Sequence, residues 1–174
     1  MKRLLFGLLP IFLLTLTGFA QTDCKRQVEP GGGFSYCIPE GWKLNEKQGE
    51  KYKFAYTSGD TFSPNLNIKE DVNTSPLTDY VAASNKYILD NYQKTGATSM
   101  KLVAQDDFVT TSGLKSIRMS YRAEFKGLIL RVLQYYFSGK AGQRLIVTCT
   151  ALEEDKATLD PIFERALKSF ELDK

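Results

Sequence analysis

The segment 114–137 contains two strand-like stretches on either side of Lys126-Gly127, and the first alternates cleanly. In the first stretch, apolar residues occupy every second position from Ile117 to Phe125, with mostly polar residues between them. This period of two predicts a β-strand, and the two intervening residues suit a tight hairpin turn. Because such a turn fixes the register, we expect Phe125 to face Leu128. The chain should therefore fold around an antiparallel sheet, with strands at about 114–125 and 128–137.

This register divides the sheet into two faces with different compositions. A slip of one residue would scatter the apolar positions, so the pattern favours the proposed pairing. An even-length turn around Gly139–Gly142 is expected to place a third strand, 144–151, beside the hairpin. The predicted apolar face then contains Ile117, Met119, Tyr121, Ala123, Phe125, Leu128, Leu130, Val132, Tyr136, Leu145, Val147, Cys149 and Ala151. The opposite face is mixed, which predicts one fully covered face and one partly covered face.

The remaining pattern adds four strands and two helices. Helix start signals occur at Ser75-Pro76, with a periodic apolar face to about Tyr92, and again at Asp160-Pro161. Short strands are predicted at Phe34–Ile38, Lys51–Thr57, Asn65–Val72 and 99–108. Amphipathic helices beside an antiparallel sheet indicate an α+β fold.

The N-terminus has the pattern of a secretory signal peptide over residues 1–20. Lys2 and Arg3 precede an apolar run that is too short to span a membrane comfortably, and small residues precede Gln21. We expect cleavage after Ala20, a flexible lead-in over 21–33 and a single domain over 34–174. Cys24 follows residues that suit lipid attachment poorly, so a periplasmic or extracellular protein without a membrane span is favoured over a lipoprotein or a retained anchor.

Composition excludes several classes of function. Without Lys2 and Arg3, the remainder has 21 basic and 20 acidic side chains, so bulk charge gives no argument for nucleic-acid binding. Histidine is absent, which excludes Ser-His-Asp and Cys-His catalysis. The carboxylates occur in small groups without the spacing of a calcium loop. We therefore predict no catalytic residue, no metal site and no cofactor.

Three cysteines leave several pairings open. Cys149 falls among apolar positions of a strand, which favours a buried thiol. Because an exported protein encounters an oxidising environment, Cys24 and Cys37 are the first disulfide candidate. A bridge between Cys37 and Cys149 is the main alternative. A reactive Cys37 is a third possibility, although no base is evident near it.

Five segments together resemble the Mog1/PsbP-like superfamily. They are FSYCIPEGW (34–42), NLNIKED (65–71), SPLTDYV (75–81), RVLQYYFSG with RLIVTCTA (131–151) and PIFERALKSF (161–170). The resemblance implies a three-layer α-β-α sandwich around a central antiparallel sheet. Members of this superfamily include photosystem II extrinsic proteins and bacterial envelope proteins. The resemblance therefore also implies a binding or accessory role without recognised catalytic residues.

The arginines of the mixed face are the predicted binding residues. In the hairpin register Arg122 directly faces Arg131, an unfavourable pairing unless an anion or a carboxylate lies between them. The candidate ligand- or partner-binding set is Arg118, Arg122, Arg131, Tyr135 and Arg144. We predict an exported accessory protein that docks on an envelope or membrane-associated complex. The alternatives are a carrier of a small acidic ligand, a photosystem II extrinsic-type subunit and an enzyme that relies on carboxylates alone.

Overall fold

A computed structural model describes residues 24–46 and 51–173, so the predicted signal peptide lies outside the described residues. These residues form ten strands and two α-helices. The elements are β1 (Arg26–Glu29), β2 (Phe34–Cys37), β3 (Lys43–Asn45), β4 (Phe54–Tyr56), β5 (Asn65–Val72), α1 (Leu77–Asn91), β6 (Ala97–Val109), β7 (Lys115–Phe125), β8 (Leu128–Ser138), β9 (Gln143–Leu152), α2 (Lys156–Lys168) and β10 (Glu171–Leu172).

The strands form two antiparallel sheets. The larger sheet has seven strands in the order β3-β4-β5-β9-β8-β7-β6, and the smaller has the order β1-β2-β10. Helix α1 packs on one face of the large sheet, hereafter the α1 face. Helix α2 and the small sheet pack on the other, the α2 face. The predicted α+β class and the three-layer α-β-α arrangement are confirmed.

The predicted hairpin register is confirmed. Phe125 is paired with Leu128, and Arg122 is paired with Arg131. Lys126 and Gly127 have φ values of 50° and 79°, so both turn residues are in the left-handed region. Two consecutive positive φ values give a turn whose twist matches that of the flanking strands.

The predicted face of β9 is wrong. The connection 139–143 has five residues between the paired Ser138 and Arg144, where an even-length turn was expected. The amide of Gly139 donates to the Gln143 carbonyl at 2.9 Å, and Ala141 has a positive φ of 50°. Because side chains alternate along a strand, an odd connection exchanges the faces. Four residues predicted on the α1 face therefore lie on the α2 face: Leu145, Val147, Cys149 and Ala151.

Apolar side chains pack on both faces of the large sheet, and the α2 face stays partly exposed, at Lys101 and Arg122 among other residues. The two faces hold separate apolar clusters. On the α1 face the cluster comprises Val81, Ile117, Met119, Tyr121 and Tyr136. On the α2 face it includes Phe34, Tyr36, Leu66, Leu133, Tyr135, Phe137, Leu145, Val147, Cys149, Phe163, Leu167 and Phe170. A sheet buried on both faces needs apolar residues at consecutive positions, as β8 and β9 have.

The segment 21–33 was predicted to be a flexible lead-in, and its described part is structured. Strand β1 pairs with β2, from Arg26 opposite Cys37 to Glu29 opposite Phe34. The glycine-rich segment forms the turn between them, with Gly33 at a φ of 66°. The Gly33 carbonyl also accepts the Asp173 amide at 2.8 Å. Gly33 therefore supplies a left-handed turn conformation that a β-carbon would strain.

Helix α1 begins close to the predicted position, whereas α2 begins earlier. Pro76 precedes α1, and Gly96 ends the following 3₁₀ turn 92–95 with a φ of 85°. Helix α2 starts at Lys156, so Pro161 lies inside it. Proline removes one backbone hydrogen bond from a helix. Burial of Leu159 in the α2-face core favours the early start despite that cost.

Within the part of the chain that the structure describes, no helix is long and apolar enough to cross a membrane.

Candidate functional site

Strand pairing brings four of the five predicted binding residues onto the α2 face. Arg118 is opposite Tyr135, and Arg122 is opposite Arg131. Arg144 is opposite Ser138 and Asp71, which places it on the α1 face. The expectation that Arg144 shares a surface with the other arginines is therefore wrong, for the same reason that β9 was assigned to the wrong face.

Arg144 is held by structural contacts. Only 7% of the residue is exposed, although it is charged. Its Nη1 donates to Ser138 Oγ at 2.8 Å, and its Nη2 donates to the Ser75 carbonyl. The guanidinium carbon lies 5.9 Å from the centre of the Tyr80 ring, within the range of a cation–π contact. These contacts fix the start of α1 against β9.

Arg131 is neutralised by α2. Its Nε donates to Asp160 Oδ1 at 2.8 Å, and the two side chains are 13% and 26% exposed. Arginine geometry suits such a carboxylate contact. The facing arginines Arg122 and Arg131 were expected to need a counter-charge. Asp160 provides one to Arg131, and it forms no ion pair with Arg122.

Arg118 and Tyr135 form the inner part of the predicted site. Arg118 Nη2 donates to Asp106 Oδ2 at 3.0 Å, across the β6–β7 pair. Tyr135 is fully buried, and its hydroxyl has no hydrogen-bond partner within the described residues. Burial raises the pKa of the Tyr135 phenol, because water no longer solvates the phenolate, while the nearby Arg118 charge opposes that rise. Neither group is freely available at the surface.

Among the four predicted arginines, Arg122 is the one that is exposed and forms no ion pair within the described residues. It is paired in register with Lys101 of β6 on one side and with Arg131 on the other. Lys101 is also exposed. Within residues 24–46 and 51–173, neither Lys101 nor Arg122 forms an ion pair or a side-chain hydrogen bond, and the neighbouring Glu124 is not ion-paired with them. We refer to these two residues as the Lys101–Arg122 patch.

Lys101 was not among the residues predicted from the sequence, because the alternation of its strand is interrupted. Strand β6 has register shifts between Ala97 and Ser99 and between Leu102 and Ala104. A β-bulge adds a residue to one strand and so changes which side chains share a face. Alternation alone therefore gave no reliable face for β6. The structure shows that Lys101 directly faces Arg122.

A cavity formed by described residues lies away from this patch. A cavity of about 340 Å³ is located on the α1 face, between the end of α1 and strands β6–β8. Its lining residues are Tyr87, Ile88, Asn91, Tyr92, Lys94, Thr95, Ala97, Met100, Ala123, Phe125, Leu130, Val132 and Gln134. No predicted site residue contributes to it. The small residues Ala97 and Ala123 at positions facing α1 were the sequence signal for this space.

The cysteines have distinct roles in the structure. Cys24 and Cys37 are joined by a disulfide that ties the segment before β1 to β2. Cys149 is a free thiol in the α2-face core. Burial raises the pKa of Cys149, because a thiolate would lose its hydration there. A neutral buried thiol of this kind is a poor nucleophile.

Within the described part of the chain, no three or more Cys, Asp or Glu side chains are grouped so that they could hold a metal ion. On the α2 face, the exposed charges of the predicted site are therefore those of Lys101 and Arg122.

No protein-family model and no curated protein matches the sequence. Solved structures are nevertheless similar in fold. Cyanobacterial PsbP (CyanoP) from Synechocystis sp. PCC 6803 aligns with a TM-score of 0.67 and 16% identity, covering 91% of this chain and 98% of that one. LpqN, involved in cell envelope biogenesis of Mycobacterium tuberculosis, aligns with a TM-score of 0.59 and 10% identity, covering 89% and 88%.

The Saccharomyces cerevisiae Ran-binding protein Mog1p aligns with a TM-score of 0.56 and 12% identity, covering 86% of this chain and 95% of that one. At these identities the similarity concerns the fold. It agrees with the order of segments that resembled this superfamily in the sequence. The chain has the Mog1/PsbP-like fold.

Proposed function

We propose that this protein is an exported, non-catalytic accessory protein that docks on an acidic surface of an envelope or membrane-associated complex. The observation that carries the proposal is the Lys101–Arg122 patch. Two exposed cations face each other on neighbouring strands, and neither forms an ion pair within the described residues. Facing like charges destabilise a sheet, so a complementary acidic partner would relieve a repulsion that the free protein retains.

The contacts of the other arginines define what remains available for binding. Arg118 and Arg131 are ion-paired with Asp106 and Asp160, and Arg144 is buried. The patch is exposed, and the cavity lies on the opposite face of the sheet. These features favour docking of a macromolecule over enclosure of a small acidic ligand between the arginines. Electrostatic docking of this kind mainly sets association rate and specificity.

Export is the second part of the proposal. The signal-like pattern over residues 1–20 supports it. The disulfide between Cys24 and Cys37 supports it independently, because disulfides persist in oxidising compartments. N-terminal sequencing of the protein purified from the host is the direct test. We expect the mature chain to begin at Gln21, and a chain that retains Met1 or Lys2 would contradict export by cleavage.

Docking is tested by affinity capture from the envelope fraction of the host, with Arg122→Glu and Lys101→Glu as the variants. Lys140→Glu is the matched control, since Lys140 is an exposed lysine beyond the far end of β8. We expect the wild type and the control to recover the same partner and both patch variants to lose it. Recovery should also fall as salt concentration rises. Equal recovery by all four proteins would overturn the docking site.

Loss of folding is distinguishable from loss of binding in this experiment. Lys101→Glu places a carboxylate opposite Arg122 in the register, which replaces a repulsive cross-strand pair with an attractive one. We expect the free energy of unfolding of this variant to stay unchanged or to rise by about 0.2–1 kcal/mol. A variant that is at least as stable as the wild type but no longer captures the partner identifies the patch as a binding surface.

A further inference from the structure

The cavity on the α1 face exists because small side chains leave space beneath the end of α1. Its floor contains the cross-strand row Met100, Ala123 and Leu130, and Ala97 lies beside this row. Ile88 of α1 faces the floor from above. After Asn91 the helix continues as a 3₁₀ turn that ends at Gly96. Two alanines in a well-packed interface would normally be covered by larger neighbours, and here the space above them remains open.

The wall of the cavity is mainly apolar, and the amide of Gln134 in it is already hydrogen-bonded within the protein. Gln134 Oε1 accepts the Tyr136 hydroxyl at 2.6 Å, and Gln134 Nε2 donates to Thr148 Oγ1 at 3.3 Å. One N–H donor and one acceptor site of this amide are therefore already used. The wall as a whole favours an apolar chain.

The mouth of the cavity carries positive charge. Lys94 is the one charged residue among those that line it. Its ammonium donates to Asn91 Oδ1 at 2.5 Å, which leaves two of its three N–H donors for another acceptor. Tyr87 also lines the cavity and is 64% exposed, so its ring marks the rim.

A second lysine lies close to the same wall, and the nearby acid is already neutralised. Lys126 Nζ is 5.4 Å from the ring centre of Phe125, a residue of the wall. Asp90, one helical turn before Lys94, is ion-paired with Lys86 at 2.5 Å. The mouth therefore presents uncompensated cations beside an apolar interior, a combination that attracts an anionic head group and holds its chain.

We propose that this cavity binds a small amphiphile with a single apolar chain and an anionic head, with the chain over Ala123 and the head at Lys94. Ligand pockets of proteins have volumes of this order, mostly apolar walls and a few polar groups that fix orientation. The site lies on the opposite face of the sheet from the Lys101–Arg122 patch. The proposal is therefore independent of the docking function, and each can fail without the other.

The test uses decanoate as the probe and methyl NMR of the chain over residues 21–174. Decanoate should shift the methyl signals of Ala97, Met100, Ala123 and Leu130 in a saturable way. Decanol and decyltrimethylammonium, at equal concentrations below micelle formation, separate the contribution of the head group. We expect decanoate to bind more tightly than either of them. Absence of saturable shifts at these methyl groups would overturn the site, and equal binding of the cationic amphiphile would overturn the anionic head.

Two variants examine the head and the chain separately. Lys94→Gln should weaken decanoate binding by about two- to fivefold, as for an exposed ion pair, while Lys140→Gln should leave it unchanged. Ala123→Leu should fill the cavity and abolish the saturable shifts at Met100 and Leu130. If Ala123→Leu does not fold, the Lys94→Gln variant and the methyl shifts of the wild type still test the proposed site, because Lys94 is exposed and its substitution should not affect folding. Unchanged affinity in Lys94→Gln would contradict the proposed head position.

Discussion

The Nε of Arg131 donates to Oδ1 of Asp160 at 2.8 Å and thereby joins β8 to α2. Both side chains are largely buried, with exposed fractions of 13% and 26%. A charge in such a position is costly when its partner is removed. The contact explains why Arg131 can lie beside Arg122 in the sheet without a ligand.

Removal of both partners of this ion pair should cost less stability than the two single removals added together. We expect Asp160→Ala to lower the free energy of unfolding by about 1–3 kcal/mol, because it leaves the Arg131 charge unpaired. Alanine suits a helix, so propensity does not explain such a loss. Arg131→Met combined with Asp160→Ala should lose less than the two single losses added together. Urea denaturation of the wild type, the two single variants and the double variant measures this double-mutant cycle. Strictly additive losses of stability would contradict the ion pair.

The disulfide between Cys24 and Cys37 should stabilise the junction of β1 and β2. The two residues are 13 positions apart, and closure of a loop of this size is worth about 3 kcal/mol in the chain-entropy account. We expect the double variant Cys24→Ser, Cys37→Ser to lose stability by that order. A reducing agent should lower the stability of the wild type and leave the double variant unchanged.

Mass spectrometry of the unfolded, alkylated protein checks the pairing directly. One modified thiol, at Cys149, is the expected result for the native protein. Three modified thiols would contradict the disulfide, and a modified Cys24 with an unmodified Cys149 would support the alternative bridge between Cys37 and Cys149.

Buried tyrosines should make the fold sensitive to alkaline pH. Burial raises the pKa of Tyr121 to about 12, and it raises the pKa values of Tyr36, Tyr135 and Tyr136 as well. In the unfolded chain a tyrosine releases its proton at about pH 10. The folded chain holds protons that the unfolded chain has lost, so stability is fully present below about pH 10 and falls as pH rises toward 12.

The Tyr121→Phe variant isolates one of these groups. In the wild type, the Tyr121 hydroxyl donates to Asn85 Oδ1 at 3.1 Å. The variant therefore also loses this hydrogen bond, and it does so at every pH. Above about pH 10 the stability of the wild type should fall more steeply than that of the variant, by about 1.4 kcal/mol per pH unit. Urea midpoints measured across this range provide the check. Parallel curves for the two proteins would contradict the raised pKa of Tyr121.

The predicted site shows where sequence reasoning reached its limit. Alternation and a two-residue turn placed Arg118, Arg122, Arg131 and Tyr135 together correctly. Their availability depended on contacts between distant segments, such as Asp160 of α2 reaching Arg131. No local pattern specifies such a contact. Lys101 was missed because a β-bulge in its strand interrupts the alternation.

By itself, the sequence determined the hairpin of β7 and β8, its register and the approximate start of α1. These features depend on side-chain alternation, a two-residue turn and a proline-started helix, all of which act over a few neighbouring residues. Tertiary structure decided the face of β9, the pairing of β1 and the early start of α2. Because β9 has apolar side chains on both faces, its pattern is compatible with either orientation, and the five-residue connection 139–143 together with packing on both faces selects one.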